Sequence, residues 1–217
     1  MKTLHFVTGG FSGATQVAID LCQQSPEKNE AILVLRKKRN TTVEKIKQLS
    51  ETGLNVRVVP GWSHLATIIS LRKICKEFKP DVLFAHGFSE HLWGRYAGLL
   101  AGVPNLVHVE HNIHERYTKW RLIQAKWLAK KTRHIIACSE GVRQHLIELG
   151  FEAAKIKTIR NGIDTERFNS LAPRQLTDRS PTIVMVARFA KQKDQKTLIE
   201  AISILKNKGI DVSLELI

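Results

Sequence analysis

Apolar residues along this 217-residue chain fall into two alternating rhythms. Short apolar runs of strand length occur at Leu4–Thr8, Ala31–Leu35, Val56–Val59, Val82–Ala85, Leu106–Val109, His134–Ala137 and Ile156–Ile159. Between them, Ala14–Gln24, Leu65–Phe78, Leu92–Ala101, Tyr117–Lys131 and Val142–Leu149 carry apolar residues at helical spacing. Strand and helix alternate, which predicts parallel strands joined by right-handed crossovers with helices on both faces. The expected fold is α/β, a Rossmann-like doubly wound parallel sheet. Ligands of such sheets bind beyond the carboxyl ends of the strands, so residues just after each strand are the first candidates for chemistry.

The rhythm stops at Asn169–Pro181, NSLAPRQLTDRSP, which is polar, has two prolines and reads as a linker. It separates a first domain, residues 1–168, from residues 182–217. The latter hold one strand–helix–strand unit: Thr182–Val186, Gln195–Lys208 and Val212–Leu216. Two strands and a helix rarely fold alone, so this is expected to be the opening of a truncated second Rossmann-like domain. Its final strand, VSLELI, would then be an exposed apolar edge, a place for self-association with another copy.

Composition changes the picture in one respect. There are 34 Lys and Arg against 20 Asp and Glu, a net charge of +14, which favours an anionic partner. Nucleic acid, phospholipid headgroups and a phosphorylated substrate all qualify. No RNA- or DNA-binding motif is visible, which argues against nucleic acid. No apolar run reaches the ~20 residues of a membrane span, and no signal peptide is evident. Three scattered cysteines, Cys22, Cys75 and Cys138, fit a reduced compartment, so a cytoplasmic location is expected.

VTGGFSGATQ, Val7 to Gln16, runs from strand through glycines into helix. Gly9 and Gly10 remove side chains where main-chain N–H groups can approach a phosphate, beside a helix amino terminus. The loop is partly like T-G-x-x-x-G-x-G of short-chain dehydrogenases, with Thr15 in place of the last glycine. That family's Tyr-x-x-x-Lys pair is missing: Leu100 follows Tyr96 and Arg121 follows Tyr117. Arg36, Lys37, Lys38 and Arg39 at the second strand's end leave an NADP 2′-phosphate open as an alternative.

IRNGIDTERF (Ile159–Phe168) and VARFAKQKDQKTLIEAISIL (Val186–Leu205) flank the linker. The pair resembles the family 4 glycosyltransferases of GT-B fold, with N-G-[IV]-D-x-x-x-F before the second domain and G-R-x-x-x-x-K-G at its first turn. Ala187 and Asp194 stand where the second motif has glycines. DVLFAHG (Asp81–Gly87) and VEHN (Val109–Asn112) are similar to the family's first-domain pattern. The resemblance implies a retaining transfer of sugar from a nucleotide-diphosphate sugar, with no cofactor or metal, to a glycan or glycolipid acceptor in cell-surface polysaccharide synthesis. It implies that Arg188 and Lys193, with Gly9 and Gly10, bind the donor diphosphate. Arginine suits bidentate contact with phosphate oxygens and lysine acts as a point charge. It also implies that 217 residues, lacking the later second domain, are inactive alone.

VHVEHNIHE, Val107–Glu115, packs three histidines and two glutamates together, but lacks His-Glu-x-x-His, so no metal is expected. Strand alternation sends His108 and Glu110 to one side and His111 to the other. By the resemblance, His111 meets the transferring sugar. His86 is a weaker candidate of the same kind, and His114 and Glu115 are placed on the acceptor side. TKWRLIQAKWLAKKTRH, Thr118–His134, sets Trp120 and Trp127 seven apart among basic residues. The favoured reading makes these tryptophans core; the other lays the helix on an anionic membrane, a peripheral site on the inner face of the cell membrane.

Overall fold

In the computed structural model, which describes residues 1–26, 28–87, 89–113, 117–165 and 181–217, seven strands form one sheet. They are β1 (Lys2–Thr8), β2 (Glu30–Arg36), β3 (Asn55–Val59), β4 (Val82–His86), β5 (Asn105–Glu110), β6 (His134–Ala137) and β7 (Ile156–Thr158). Their order is β3-β2-β1-β4-β5-β6-β7, and every neighbouring pair is parallel. This is the α/β doubly wound arrangement that the alternation predicts. The chain leaves β3 on one side and re-enters at β4 on the other, which makes the gap between β1 and β4 the topological switch point. The predicted linker, apart from Pro181, lies outside the described residues, as do His114 and Glu115.

Helices cover both faces. On one, Leu4, Phe6, Leu83 and Ala85 meet Leu71 and Cys75 of α3 (His64–Phe78) and Ala97 of α4 (Glu90–Ala101). On the other, Val7, Leu33 and Leu35 meet Ala18, Ile19 and Cys22 of α1 (Gly13–Gln23). A third cluster joins Ile135 and Ile156 to Ala125 and Leu128 of α5 (Lys119–Lys131) and Val142 and Leu146 of α6 (Glu140–Glu148). Helix α4 packs tightly on the sheet: a Cβ on Gly94 would lie 2.8 Å from both Ala85 Cβ and Phe6 Cδ1. Burial of Cys22 and Cys75 pushes each thiol up to about 12.

Two elements differ from the sequence reading. The pattern predicts no helix between Arg39 and Asn55, yet α2 spans Val43–Glu51. Its apolar residues, Val43, Ile46 and Leu49, fall three apart in a short, otherwise polar segment, and none is fully buried; Thr42 starts it by accepting from the Lys45 N–H at 3.4 Å. The tryptophans of α5 are not core. Ala125, Leu128 and Ala129 form its buried face, while Trp120 is 75% and Trp127 47% exposed. Tryptophans at that spacing share a face, and the small residues opposite them took the interior because they allow the helix to approach the sheet.

The chain divides into two compact units, Met1–Ile163 and Asp164–Ile217. In the second, β8 (Thr182–Met185) pairs in parallel with β9 (Ser213–Leu216), and α7 (Gln195–Asn207) connects them. Ile202 and Val212 are its buried apolar residues among those described.

Candidate functional site

The β1–α1 turn is built by Thr15. Its hydroxyl donates to the Thr8 carbonyl at 2.9 Å and accepts the Ser12 N–H at 3.1 Å, closing the loop from inside. A glycine at this position would lack both bonds. Gly9 and Gly10 play different parts. Gly9 donates its N–H to the Arg36 carbonyl at 2.8 Å, and a Cβ there would sit 2.6 Å from that oxygen and closer still to Thr41 Oγ1. It is glycine because β2 presses on it. At Gly10 the nearest atom to an added Cβ is Thr8 Oγ1 at 3.5 Å, so that position is open.

Arg36 does not offer a site to a 2′-phosphate. Its side chain is buried, 3.3 Å from Glu90 Oε1, and donates to the Gly61 carbonyl at 3.2 Å. Lys38 approaches the same carboxylate at 3.4 Å. The NADP alternative therefore loses Arg36 as a phosphate contact, because its guanidinium is buried against Glu90 and the Gly61 carbonyl.

From the middle of β1 to the ends of β4 and β5, three imidazoles form a line. His5 Nδ1 lies 3.1 Å from His86 Nε2, and His86 Nδ1 lies 3.2 Å from His111 Nε2. His5 and His86 are buried; His111 is half-buried. Burial lowers all three from the usual histidine range, His5 to about 4 and His86 well below. The neighbouring rings add to the effect on His86, while Glu110 opposes it at His111. These rings are therefore neutral near pH 7.

The opposite side of β5 holds a second polar cluster. His108 Nε2 lies 3.3 Å from Glu110 Oε2, the same-face pair that alternation predicts. Glu110 also accepts the His111 N–H at 3.0 Å and the Tyr117 hydroxyl at 3.2 Å, fixing the backbone that carries His111. Behind it, His91 stacks on His108 with ring centres 4.2 Å apart. Arg95, fully buried, donates through Nη2 to His91 Nδ1 at 2.7 Å, and desolvation lowers it to about 10. Glu90, His91 and Arg95 were missed because their helix reads as an ordinary apolar one. Three charged or polar residues within six positions, on a helix between two core strands, is the signal that was there.

Arg188 and Lys193 belong to the second unit. The Arg188 carbonyl accepts from Gln195 Nε2 at 2.8 Å, and Lys193 ends a short 3-10 turn, Lys191–Lys193. Asp194 stands where the resembled motif has glycine. It adopts φ 52° and ψ 46°, a left-handed conformation that aspartate tolerates better than most residues. Its carboxylate then caps α7, accepting from Thr197 Oγ1 at 2.8 Å and from the Thr197 N–H at 3.4 Å. Among the described residues, no group of three or more His, Cys, Asp or Glu could hold a metal ion.

Sheet order and switch-point loops together define a Rossmann-like domain of the GT-B kind. Residues 11–167 match Glycosyltransferase Family 4, and the chain belongs to that family. An Escherichia coli protein, UDP-Gal:alpha-D-GlcNAc-diphosphoundecaprenol alpha-1,3-galactosyltransferase, is 35% identical over 111 residues, covering 48% of this chain and 29% of that protein. The structure of Anabaena HepE in complex with UDP and glucose is 22% identical, with a TM-score of 0.79, over 100% of this chain and 60% of that one. A glycosyltransferase from Rickettsia africae gives a TM-score of 0.76 at 18% identity, over 99% of this chain and 59% of that one. The chain thus spans less than two thirds of each, and the two structures establish the fold.

Proposed function

We propose that this chain is part of a retaining glycosyltransferase that moves a sugar from a nucleotide-diphosphate sugar to a glycan or glycolipid acceptor, in cell-surface polysaccharide synthesis. The observation that carries the reading is the gathering of an open Gly10, the His86–His111 pair and the β1–α1 turn around the switch point of a family 4 sheet. Gly10, Arg188 and Lys193 bind the donor diphosphate, Gly9, its N–H held by the Arg36 carbonyl, shapes the turn, and His111 hydrogen-bonds the transferring sugar. His114 and Glu115 serve the acceptor side. The E. coli relative's UDP-Gal supports a UDP-sugar as the first donor to test. Its diphosphoundecaprenol acceptor supports a lipid-linked one here.

The test is calorimetric titration of the complete gene product with UDP-galactose, other UDP- and GDP-sugars, NADP and an oligonucleotide. Saturable binding of a nucleotide sugar, with none of the last two, is expected. Preference for NADP or the oligonucleotide would overturn the reading.

A membrane location accompanies it. The outward face of α5 carries Trp120, Ile123 and Trp127, with Lys119, Lys126 and Lys130 alongside, which suits the boundary of an anionic bilayer. No described helix is long and apolar enough to cross a membrane. We place the protein peripherally on the inner face of the cell membrane. We further infer that the chain self-associates through the edge of β9, which the two-stranded sheet of the described second unit supports.

A further inference from the structure

The histidine line reaches further into the protein than sugar binding needs. His111 stands at the carboxyl end of β5, His86 one strand over at the end of β4, and His5 in the middle of β1. His5 stacks on Phe84 with ring centres 4.7 Å apart. It also lines a cavity of about 400 Å³ on the α1 face of the sheet, with Val17, Leu21, Phe84, Val109 and Ile136. Two hydrogen bonds, at 3.1 Å and 3.2 Å, join the three rings nitrogen to nitrogen.

A neutral imidazole has one N–H and one lone pair, so each bond needs a donor on one ring and an acceptor on the next. Only two arrangements satisfy both bonds. In one, every ring is protonated on Nε2: His111 donates to His86, His86 donates to His5, and His111 Nδ1 is a lone pair. In the other, every ring is protonated on Nδ1: His5 donates to His86, His86 donates to His111, and His111 Nδ1 is a donor. Any mixture sets two N–H groups or two lone pairs face to face, which buried polar groups avoid.

We propose that His5 and His86 are positioning residues for His111: the three rings share one tautomeric sense, and the far end of the line sets whether His111 offers Nδ1 as acceptor or donor. The consequence for sugar recognition rests on the transferase reading above, whereas the coupling itself does not. An Nδ1 acceptor accepts a hydrogen bond from a sugar hydroxyl, and an Nδ1 donor donates one to a sugar oxygen. Orientation of a working histidine through its second nitrogen is a general device; here it runs through two rings instead of one.

The coupling is read directly from long-range nitrogen–proton spectra of the ¹⁵N-histidine-labelled chain at pH 7.5, without nucleotide or sugar. Expected are single neutral tautomers at His5, His86 and His111, all of the same kind. His5→Phe keeps a ring against Phe84 but breaks the line. His111 should then lose its single-tautomer signature, its two nitrogens moving toward averaged shifts. His5→Gln, which can donate or accept at the same end, should restore more of that signature than His5→Phe does. Opposite tautomers on adjacent rings of the unaltered chain would overturn the proposal, whether or not the variants fold. So would an unchanged His111 spectrum in a folded His5→Phe protein. Neither result bears on nucleotide-sugar binding, so the two readings fail separately.

Discussion

Arg36 and Glu90 lie 54 positions apart in sequence and form a buried ion pair at 3.3 Å, their side chains 5% and 4% exposed. The pair ties the end of β2 to the first turn of α4, flanking the strands that make the switch point. Breaking such a pair by removing one partner leaves a buried charge and costs about 3–5 kcal/mol. Glu90→Ala should therefore destabilise the first unit by roughly that amount. Arg36→Met with Glu90→Leu should cost much less, because no charge is stranded. Urea denaturation of the single and double variants checks this; a double-variant loss equal to the sum of the single losses would show that the pair is not coupled.

The two glycines of the turn should separate packing from binding. Gly9→Ala drives a methyl into the Arg36 carbonyl, and overpacking of this sort costs about 1–3 kcal/mol. Gly10→Ala meets nothing closer than 3.5 Å and should leave the denaturation midpoint nearly unchanged. Weaker nucleotide-sugar binding in Gly10→Ala, measured by calorimetry on a protein of native stability, would then report on a ligand at the open position. Unaltered binding would remove Gly10 from the site.

Acid should weaken the fold over a definite window. His5 and His108 titrate at about 4 when folded, and His86, His91 and His111 are lowered too, all chiefly by burial. The unfolded chain binds these protons near pH 6.5, so between about pH 6.5 and 4 it holds more protons than the native state. Stability must then fall as pH drops through that range, by up to about 1.4 kcal/mol per pH unit for each such ring. Urea midpoints at pH 7.5, 6 and 5 should decline in order, and His5→Phe should flatten the slope. A midpoint independent of pH would contradict the burial of these rings.

At Asp194 the left-handed bend and the helix cap can be told apart. Asp194→Gly relieves the bend and loses the cap's side chain, at a cost of only a few tenths of a kcal/mol. Asp194→Ala loses the cap and keeps the strain of a Cβ at positive φ, so it should be worse by about 1–2 kcal/mol. Hydrogen exchange of the α7 amides measures the difference. Identical protection in the two variants would mean that neither effect operates.

Vesicle flotation tests the exposed face of α5. Lys126→Glu with Lys130→Glu should lower partitioning onto anionic vesicles by roughly fivefold or more per lysine, at about 1 kcal/mol each. Trp120→Ser should weaken it without changing stability, since Trp120 is 75% exposed. Equal flotation with neutral and anionic vesicles would remove the membrane from the account.

What could be read from the sequence was whatever a periodic apolar pattern records. The parallel sheet followed from strands of Val, Leu and Ile alternating with helical stripes, because each stripe must face a strand. Helix α2 escaped because its stripe, Val43, Ile46 and Leu49, is short and set among charged and polar residues. The exposed Trp120 escaped for the opposite reason: α5 is apolar on both faces, and spacing alone does not say which one packs. His111 was singled out by its place after a strand and by the resemblance, and the structure sets it just past β5, beside His86. Its partners His86 and His5 come from β4 and β1, and only the register His5↔Phe84 brings those strands' rings into line. Thr15 looked like a defect in a glycine motif, and its two hydrogen bonds show it to be the residue that closes the turn.

The most direct measurement is sugar transfer by the complete gene product with Arg188→Ala, Lys193→Ala and His111→Ala. If these groups hold a departing diphosphate and its sugar, each single change should lower kcat by about 100- to 1,000-fold while the fold stays intact. Transfer from every nucleotide sugar at the unaltered rate in all three variants would contradict the account.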